Sequence, residues 1–143
     1  MVIPDFLTRG DGISIVSPAS SIIPDYVNGS VNILDGWALS VNIALNCFGK
    51  DGYYSGTIDE RMSDFRHALY DPAVKAVLCS RGGYGAVHLL DGLTDDIARN
   101  PKWIIGFSDI SALHALCVSR GVMSLHAPMC KHLTTEPADN RCT

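Results

Sequence analysis

Ser108 is the residue whose sequence surroundings best suit a nucleophile. It lies in residues 106–110 (GFSDI), between an apolar run and a helical pattern. This is the arrangement of a nucleophile elbow, a sharp strand-to-helix turn that exposes a serine hydroxyl. The usual motif has glycine two places after the serine, where this chain has Ile110. Ser108 would also be a good N-cap for a helix over 109–120, and the roles are compatible because helix N-terminal amides can stabilise an oxyanion.

A glycine-rich turn at residues 81–85 (RGGYG) is the second candidate feature. Its glycines allow backbone N–H groups to approach a ligand without obstruction by Cβ atoms. If Ser108 is a nucleophile, the amide of Gly83 could complete an oxyanion hole with the amide of Asp109. The turn could instead bind a phosphate, although it lacks both the G-x-G-x-x-G and the P-loop patterns. A tight turn with nothing bound is the third interpretation.

A serine nucleophile needs a general base, and the histidines supply no clear one. His114 follows Ser108 by six residues, about 9 Å along a helix and on another face, so we predict a half-buried helix residue. His126 ends the next predicted strand and could lie at the same edge of the sheet, or be a hydrogen-bonded structural residue. The remaining histidines, predicted at the surface, are His67, His88 and His132. No acid is placed to orient His126, so no complete triad can be assembled from this chain.

Short apolar runs alternate with amphipathic stretches, which is the pattern of βαβ units around a parallel sheet. The predicted strands are 12–16, 40–45, 74–79, 103–107 and 122–125. The predicted helices are 25–37, 57–70, 86–91, 94–99 and 109–120. We therefore predict an α/β fold with an open, mostly parallel sheet and helices on both faces, a three-layer arrangement of the flavodoxin or Rossmann type.

Four predicted strands end in residues that could bind or react. These strand ends are 17–20 (SPAS), 81–85, 108–109 and 126–128 (HAP). Ligands of open parallel sheets bind beyond the carboxyl ends of the strands. We therefore expect all four ends to meet at one edge and to form the site.

Composition narrows the classes of protein. The 143 residues, 47% hydrophobic and 18% charged, are typical of one globular domain. A formal charge of −4 without a basic run excludes the usual signature of nucleic-acid or anionic-membrane binding, so we expect small molecules or peptides as partners. No signal peptide is visible, and no apolar stretch approaches the ~20 residues of a bilayer span. The five cysteines have no framework spacing, which predicts reduced thiols in a cytosol.

Three segments resemble the LD-carboxypeptidases in order and spacing. They are residues 79–93 (CSRGGYGAVHLLDGL), 100–114 (NPKWIIGFSDISALH) and 125–129 (LHAPM). The turn at 17–20 and the segment 57–61 (TIDER) also fit the N-terminal half of that family. The resemblance spans nearly the whole chain, and it is the ordered set, rather than any single motif, that makes it specific.

The resemblance implies a cytoplasmic bacterial enzyme of cell-wall recycling, the N-terminal domain of a two-domain serine peptidase. Such enzymes hydrolyse the bond between an L-centred diamino acid and a terminal D-alanine in muropeptides, with a serine–histidine–glutamate triad and no metal or other cofactor. By position, Ser108 matches the nucleophile, and the amides of Gly83 and Asp109 match the oxyanion hole. Arg81 and Tyr84 lie in the matching loop and are expected to touch substrate.

Members of that family are longer, and their catalytic glutamate and histidine lie in a C-terminal domain that has no counterpart here. We therefore expect residues 1–130 to form the nucleophile-bearing domain and 131–143 a linker, in which His132 and Glu136 match neither catalytic role. Without its base the chain would be nearly inactive. The surface left uncovered would favour a homodimer.

Three other interpretations stay open. A related branch of the family, which inactivates microcin C, shares the fold and the serine. A non-catalytic α/β module could use residues 81–85 to bind a ligand. A self-sufficient hydrolase could pair Ser108 with His126.

Overall fold

The computed structural model describes residues 1–135, in which strands and helices alternate. The strands are β1 (Gly12–Val16), β2 (Ser40–Ile43), β3 (Val74–Cys79), β4 (Trp103–Gly106) and β5 (Leu125–His126). The α-helices are α1 (Pro24–Gly36), α2 (Ile58–Tyr70), α3 (Leu90–Arg99), α4 (Ser111–Ser119) and α5 (Cys130–Thr135). Short 3₁₀ helices at Ala86–Leu89 and Ser108–Ile110 precede α3 and α4. None of the described helices has the length and apolar surface that a bilayer span requires.

The strands form one sheet in the order β2-β1-β3-β4-β5, and every neighbouring pair is parallel. The chain runs from β1 outward to β2, crosses back to β3 on the other side of β1, and continues outward to β5. This is the flavodoxin-like order, whose switch point lies between the first and third strands. The predicted α/β class with an open parallel sheet is confirmed.

The sheet is covered on both faces, which explains the nearly continuous apolar runs of its central strands. Side chains alternate along β3, so that Val77 and Cys79 enter one core while Ala76 and Leu78 enter the other. The first core also contains buried residues of α2, α3 and α4, among them Phe65, Leu93 and Leu113. The second contains buried residues of α1 and α5, among them Val27, Leu34 and Leu133.

The prediction of a tail from residue 131 is wrong for residues 131–135, which belong to helix α5 packed against α1. Leu133 is only 7% exposed. The hydroxyl of Thr134 donates to the carbonyl of Tyr26 at 2.9 Å. A Cβ atom at Gly29 would lie 2.6 Å from the Thr134 methyl group, so glycine allows the two helices to approach. The sequence of α5 is mostly polar, and only Cys130 and Leu133 are buried, so the pattern gave little indication of a packed helix. Glu136 lies outside the described residues.

Two predicted boundaries also differ. The helices predicted at 86–91 and 94–99 are one continuous segment, a 3₁₀ turn that leads directly into α3. The last strand is Leu125–His126 rather than 122–125. Gly121, at φ 70°, turns the chain so that Val122 bridges to Val2 instead.

The cysteines are core residues. The four that the structure describes, Cys47, Cys79, Cys117 and Cys130, are buried and free. Burial raises the pKa of the Cys47 thiol to about 11 and that of the Cys130 thiol to about 12. Because only the thiolate is a good nucleophile or metal ligand, these side chains are inert at neutral pH. Cys142 lies outside the described residues.

The buried side chain of Arg61, on α2, joins three loops at the carboxyl edge of the sheet. Its Nε donates to the carbonyl of Gly56 at 3.1 Å, and its Nη1 donates to the carbonyls of Pro18 at 3.0 Å and Gly85 at 2.8 Å. The ring of Tyr54 lies 4.8 Å from the guanidinium carbon. No carboxylate of the described chain forms an ion pair with it. Carbonyl dipoles and an aromatic face therefore stabilise this cation and fix the loops that carry the candidate site.

We expect Arg61→Met to lower the free energy of unfolding by about 2–4 kcal/mol, because it leaves three carbonyl groups without their charged donor. Urea denaturation of the chain measures this. The matched control is Arg66→Met on the same helix, where the half-exposed Arg66 forms an ion pair with Asp96 at 2.8 Å. A surface pair of this kind contributes about 1 kcal/mol or less. Equal losses in the two variants would contradict a special role for Arg61.

Candidate functional site

The carboxyl ends of the central strands meet at one edge, as the sequence predicted. The loop after β1 contacts the glycine turn after β3, because Ser20 N–H donates to Gly82 O at 3.2 Å. The residue after β5 contacts the end of β4, because Ala127 N–H donates to Gly106 O at 3.2 Å. These contacts connect the ends of neighbouring strands along the edge that borders the switch point of the sheet.

Ser108 occupies a sharp corner directly after β4. Its φ is 61°, in the left-handed region that non-glycine residues rarely adopt. The residue is exposed, and the N-cap positions of the 3₁₀ helix and of α4 are occupied by Phe107 and Ile110. The N-cap interpretation of Ser108 is therefore wrong: the left-handed backbone places it inside the turn, and the 3₁₀ helix Ser108–Ile110 precedes α4. The corner presents the hydroxyl group at the surface.

Asp109 ties this corner to the neighbouring strand end. Its carboxylate Oδ2 accepts a hydrogen bond from the backbone N–H of Ala86 at 3.0 Å. Its own backbone N–H bonds to no acceptor in the described part of the chain. The side chain thus has a structural partner while the amide stays available, as an oxyanion donor requires.

The glycine turn lies against the Ser108 corner. A Cβ atom at Gly82 would be 3.2 Å from the amide nitrogen of Asp109 and 3.4 Å from the Cβ of Ser108. Gly83 has φ 95°, and a Cβ atom there would overlap the hydroxyl of Ser20. Within residues 1–135, the amide of Gly83 has no hydrogen-bond acceptor. Both predicted amide donors, those of Gly83 and Asp109, are therefore free, and Gly83 lines the same cleft as Ser108.

Ser20 is a site residue that sequence reasoning missed. Its hydroxyl accepts a hydrogen bond from the backbone N–H of Tyr84 at 3.0 Å, and it is 6% exposed. It therefore holds the glycine turn from the side of β1. Its place in the predicted turn at 17–20 was the available signal, but nothing local indicated that Ser20 would bond to the glycine turn while Ser17 bonds to Ser80.

The two predicted substrate contacts differ in position. Arg81 lies at the cleft beside Ser108, and its Nη1 donates to the carbonyl of Ser21 at 2.9 Å. The side chain of Tyr84 is 74% exposed and does not line that cleft. The structure brings Arg81, and not the Tyr84 side chain, to the cleft beside Ser108.

A cleft of about 370 Å³ opens beside the Ser108 corner. Its apolar wall includes Ile22, Ile23, Phe107 and Met129, and its polar side includes Ser108 and Arg81. The volume suits a small ligand, and the mixture of apolar wall and few polar groups is typical of ligand sites. Among the described residues no group of acidic, histidine or cysteine side chains is arranged to hold a metal ion.

The histidines near the corner do not provide a base hydrogen-bonded to Ser108. His114 is half-buried as predicted, with Nε2 bonded to Gly106 O at 2.8 Å and Nδ1 to Ser124 Oγ at 2.7 Å. His126 is exposed, and its ring lies 5.9 Å from that of Phe107. Neither ring contacts the Ser108 hydroxyl by a hydrogen bond in the described structure. The arrangement can present a nucleophile and receive negative charge, but it does not activate the hydroxyl.

The prediction that His132 is a surface residue is wrong. Its ring packs edge-on against Phe107 with centroids 4.9 Å apart, and it lines the cleft. Its Nδ1 is buried and has no hydrogen-bond partner among the described residues. The error follows from treating 131–143 as a linker, since helix α5 is what turns this side chain inward.

Comparison with known proteins gives the family. A sequence model of the LD-carboxypeptidase N-terminal domain matches residues 13–127. The murein tetrapeptide carboxypeptidase of Pseudomonas aeruginosa is 32% identical over 127 residues, which cover 87% of this chain and 41% of that protein. The chain spans less than half the length of the curated relatives it matches.

Solved structures agree. An MccF-like protein of Bacillus anthracis superposes with a TM-score of 0.87 at 31% identity, covering 95% of this chain and 43% of that one. A variant of the microcin C7 self-immunity protein MccF in complex with adenosine monophosphate gives 0.87 at 28% identity, covering 97% and 43%. The family model, the relatives and the strand order point the same way, and this chain belongs to the LD-carboxypeptidase family, of which it carries the N-terminal domain.

Proposed function

We propose that Ser108 is the nucleophile of a serine peptidase that cleaves the L,D-peptide bond before the terminal D-alanine of murein tetrapeptides. One observation carries this proposal: an exposed serine held at φ 61° on a strand-to-helix corner, against a glycine turn. Residues held in the left-handed region cluster at active sites, where the surrounding structure compensates their cost. A serine needed only as a surface residue would not require this backbone.

In the proposed mechanism the Oγ of Ser108 attacks the carbonyl carbon of the bond to be cleaved. The carbonyl oxygen becomes an oxyanion, which the free amides of Asp109 and Gly83 stabilise by hydrogen bonds. One such donor is worth about 10²–10³ in kcat. A general base takes the Ser108 proton and passes it to the leaving amine as the C–N bond breaks, so that D-alanine departs and leaves an acyl-serine, which water then hydrolyses.

The general base is proposed to come from outside the described residues. Both ring nitrogens of His114 are already hydrogen-bonded, to Gly106 O and Ser124 Oγ, so it cannot accept the Ser108 proton without losing one of these bonds. The family resemblance implies a histidine oriented by a glutamate, in the part of the longer relatives that this chain does not match. The chain alone is then a poor hydrolase, because an unactivated serine hydroxyl is a weak nucleophile.

The proposed substrate class rests on the relatives. The Pseudomonas aeruginosa protein is named a murein tetrapeptide carboxypeptidase and matches most of this chain. A role in peptidoglycan recycling in the bacterial cytoplasm follows for this chain as part of the proposal. The cleft of about 370 Å³ beside Ser108 suits one small residue such as D-alanine and its neighbouring groups.

A microcin C-type immunity peptidase is the second candidate, favoured by the superposition on the MccF structures. It would use the same serine on a peptide joined to a nucleotide. The non-catalytic binding module has less support. The amide of Tyr84 is already bonded to the hydroxyl of Ser20, so the backbone of the glycine turn offers fewer free donors to a phosphate.

We expect Ser108→Ala to abolish cleavage in a chimera that joins residues 1–135 to the C-terminal part of the Pseudomonas aeruginosa relative. Removal of a serine nucleophile typically lowers kcat by about 10⁴–10⁶-fold. Release of D-alanine from murein tetrapeptide measures this. Ser111→Ala, one turn away on α4, is the matched control and should retain activity. Turnover that survives in the Ser108→Ala chimera would reject the nucleophile.

We expect the unmodified 143-residue chain not to react with a fluorophosphonate serine probe, because no base is bonded to Ser108 in the described residues. The same probe should label the chimera. Labelling of the chain alone that disappears in a His126→Ala variant would instead support the self-sufficient Ser108–His126 pair. Mass spectrometry of the intact chain gives the labelled fraction directly.

A further inference from the structure

Two cationic side chains line the cleft beside Ser108, Arg81 and Lys131. The chain as a whole carries a formal charge of −4. No carboxylate of the described residues lines the same cleft. In an acidic protein, this local excess of positive charge favours an anionic ligand.

Helix α5 fixes the position of Lys131. Its neighbour Cys130 is fully buried, and Leu133 on the following turn is 7% exposed. The hydroxyl of Ser30 donates to the carbonyl of Cys130 at 3.1 Å, which attaches the start of α5 to α1. The ammonium of Lys131 forms no ion pair with the described residues. The backbone of Lys131 is therefore held in place, while its ammonium group remains available to a ligand.

Arg81, the second cation of the cleft, is held by a hydrogen bond to the backbone. One guanidinium nitrogen donates to the carbonyl of Ser21, in the loop after β1. The guanidinium has five N–H donors, and no carboxylate of the described chain pairs with it. Its remaining donors can serve a planar anion such as a carboxylate.

Part of the wall of the cleft is apolar. Ile22, Phe107 and Met129 line it, and Met129 and Ile22 are at most 5% exposed. Such a wall can contact a methyl-sized side chain, while the exposed residues Arg81 and Lys131 supply the positive charge. The combination fits a small residue that carries an anion.

We propose that Lys131 and Arg81 form the subsite that binds the anion of the leaving residue, the free carboxylate of a C-terminal D-alanine. This inference rests on the proposed function, because it places the carboxylate next to the bond that Ser108 attacks. It explains how the domain would select the last residue of a peptide: an internal peptide bond brings no charge to the two cations. A phosphate or acyl sulfamate of a peptidyl nucleotide offers the same anionic chemistry and is the other source.

The test is an NMR titration of the 143-residue chain with acetyl-L-lysyl-D-alanine, its C-terminal amide, and adenosine monophosphate. The free acid should shift resonances of the cleft residues, and the amide should bind about five- to tenfold more weakly, because it lacks the charge-assisted bonds. Lys131→Met and Arg81→Met should weaken binding of the acid by a similar factor and leave the amide unaffected. Lys131→Arg should bind the acid nearly as the wild type does.

The matched control is Lys75→Met, which removes a lysine of β3 that pairs with Asp5 and does not line the cleft. Its affinity for the acid should be unchanged. Equal binding of acid and amide, no effect of Lys131→Met, or no saturable shift in the wild type would each overturn the subsite. If adenosine monophosphate binds in a Lys131-dependent way and acetyl-L-lysyl-D-alanine does not bind, the anion subsite is supported and its ligand is a nucleotide. In that case only the murein substrate would be rejected. If the Ser108→Ala chimera loses activity while the Lys131→Met chain binds the acid like wild type, the role of Ser108 as nucleophile is supported and the anion subsite is rejected.

Discussion

The left-handed backbone of Ser108 is the constraint on which the rest of this site depends. A non-glycine residue in this region costs of order 1–3 kcal/mol and persists only where its surroundings determine it. Here the surroundings are specific: Gly82 packs against the corner, and the Asp109 carboxylate holds the amide of Ala86. The hydroxyl is exposed because the chain turns sharply at that point, between a buried strand and the 3₁₀ turn that leads into α4.

The strand order explains why these partners meet. Because β1 and β3 are neighbours and the connections leave them in opposite directions, their carboxyl ends border an open crevice. Arg61 connects three loops at this edge by donating hydrogen bonds to the carbonyls of Pro18, Gly56 and Gly85. Ser20, in the loop after β1, accepts a hydrogen bond from the N–H of Tyr84 and so holds the glycine turn. The polar contacts that shape the site are thus hydrogen bonds between loops on a rigid sheet, which gives free amides a defined direction before any ligand binds.

Helix α5 changes the interpretation of the chain beyond β5. It contributes Leu133 to the core and places both Lys131 and His132 at the cleft. In the proposed enzyme the Ser108 corner therefore carries out the chemistry, and Lys131 of α5 helps to select the anion. In the same proposal the general base comes from outside the described residues.

The sequence by itself determined the class of fold and the corner that carries Ser108. Alternating apolar and amphipathic periods are local signals, and Gly83 and Ser108 stand at strand ends whose direction follows from a parallel sheet. Only the tertiary structure decided that Ser108 is not an N-cap, that Ser20 holds Tyr84 from 64 residues away, and that α5 is a packed helix. These features depend on contacts between segments distant along the chain, such as Gly29 with Thr134, and no local pattern encodes such a contact. The division follows from physics: propensity and periodicity act over a few residues, whereas a cleft forms only where separate loops meet.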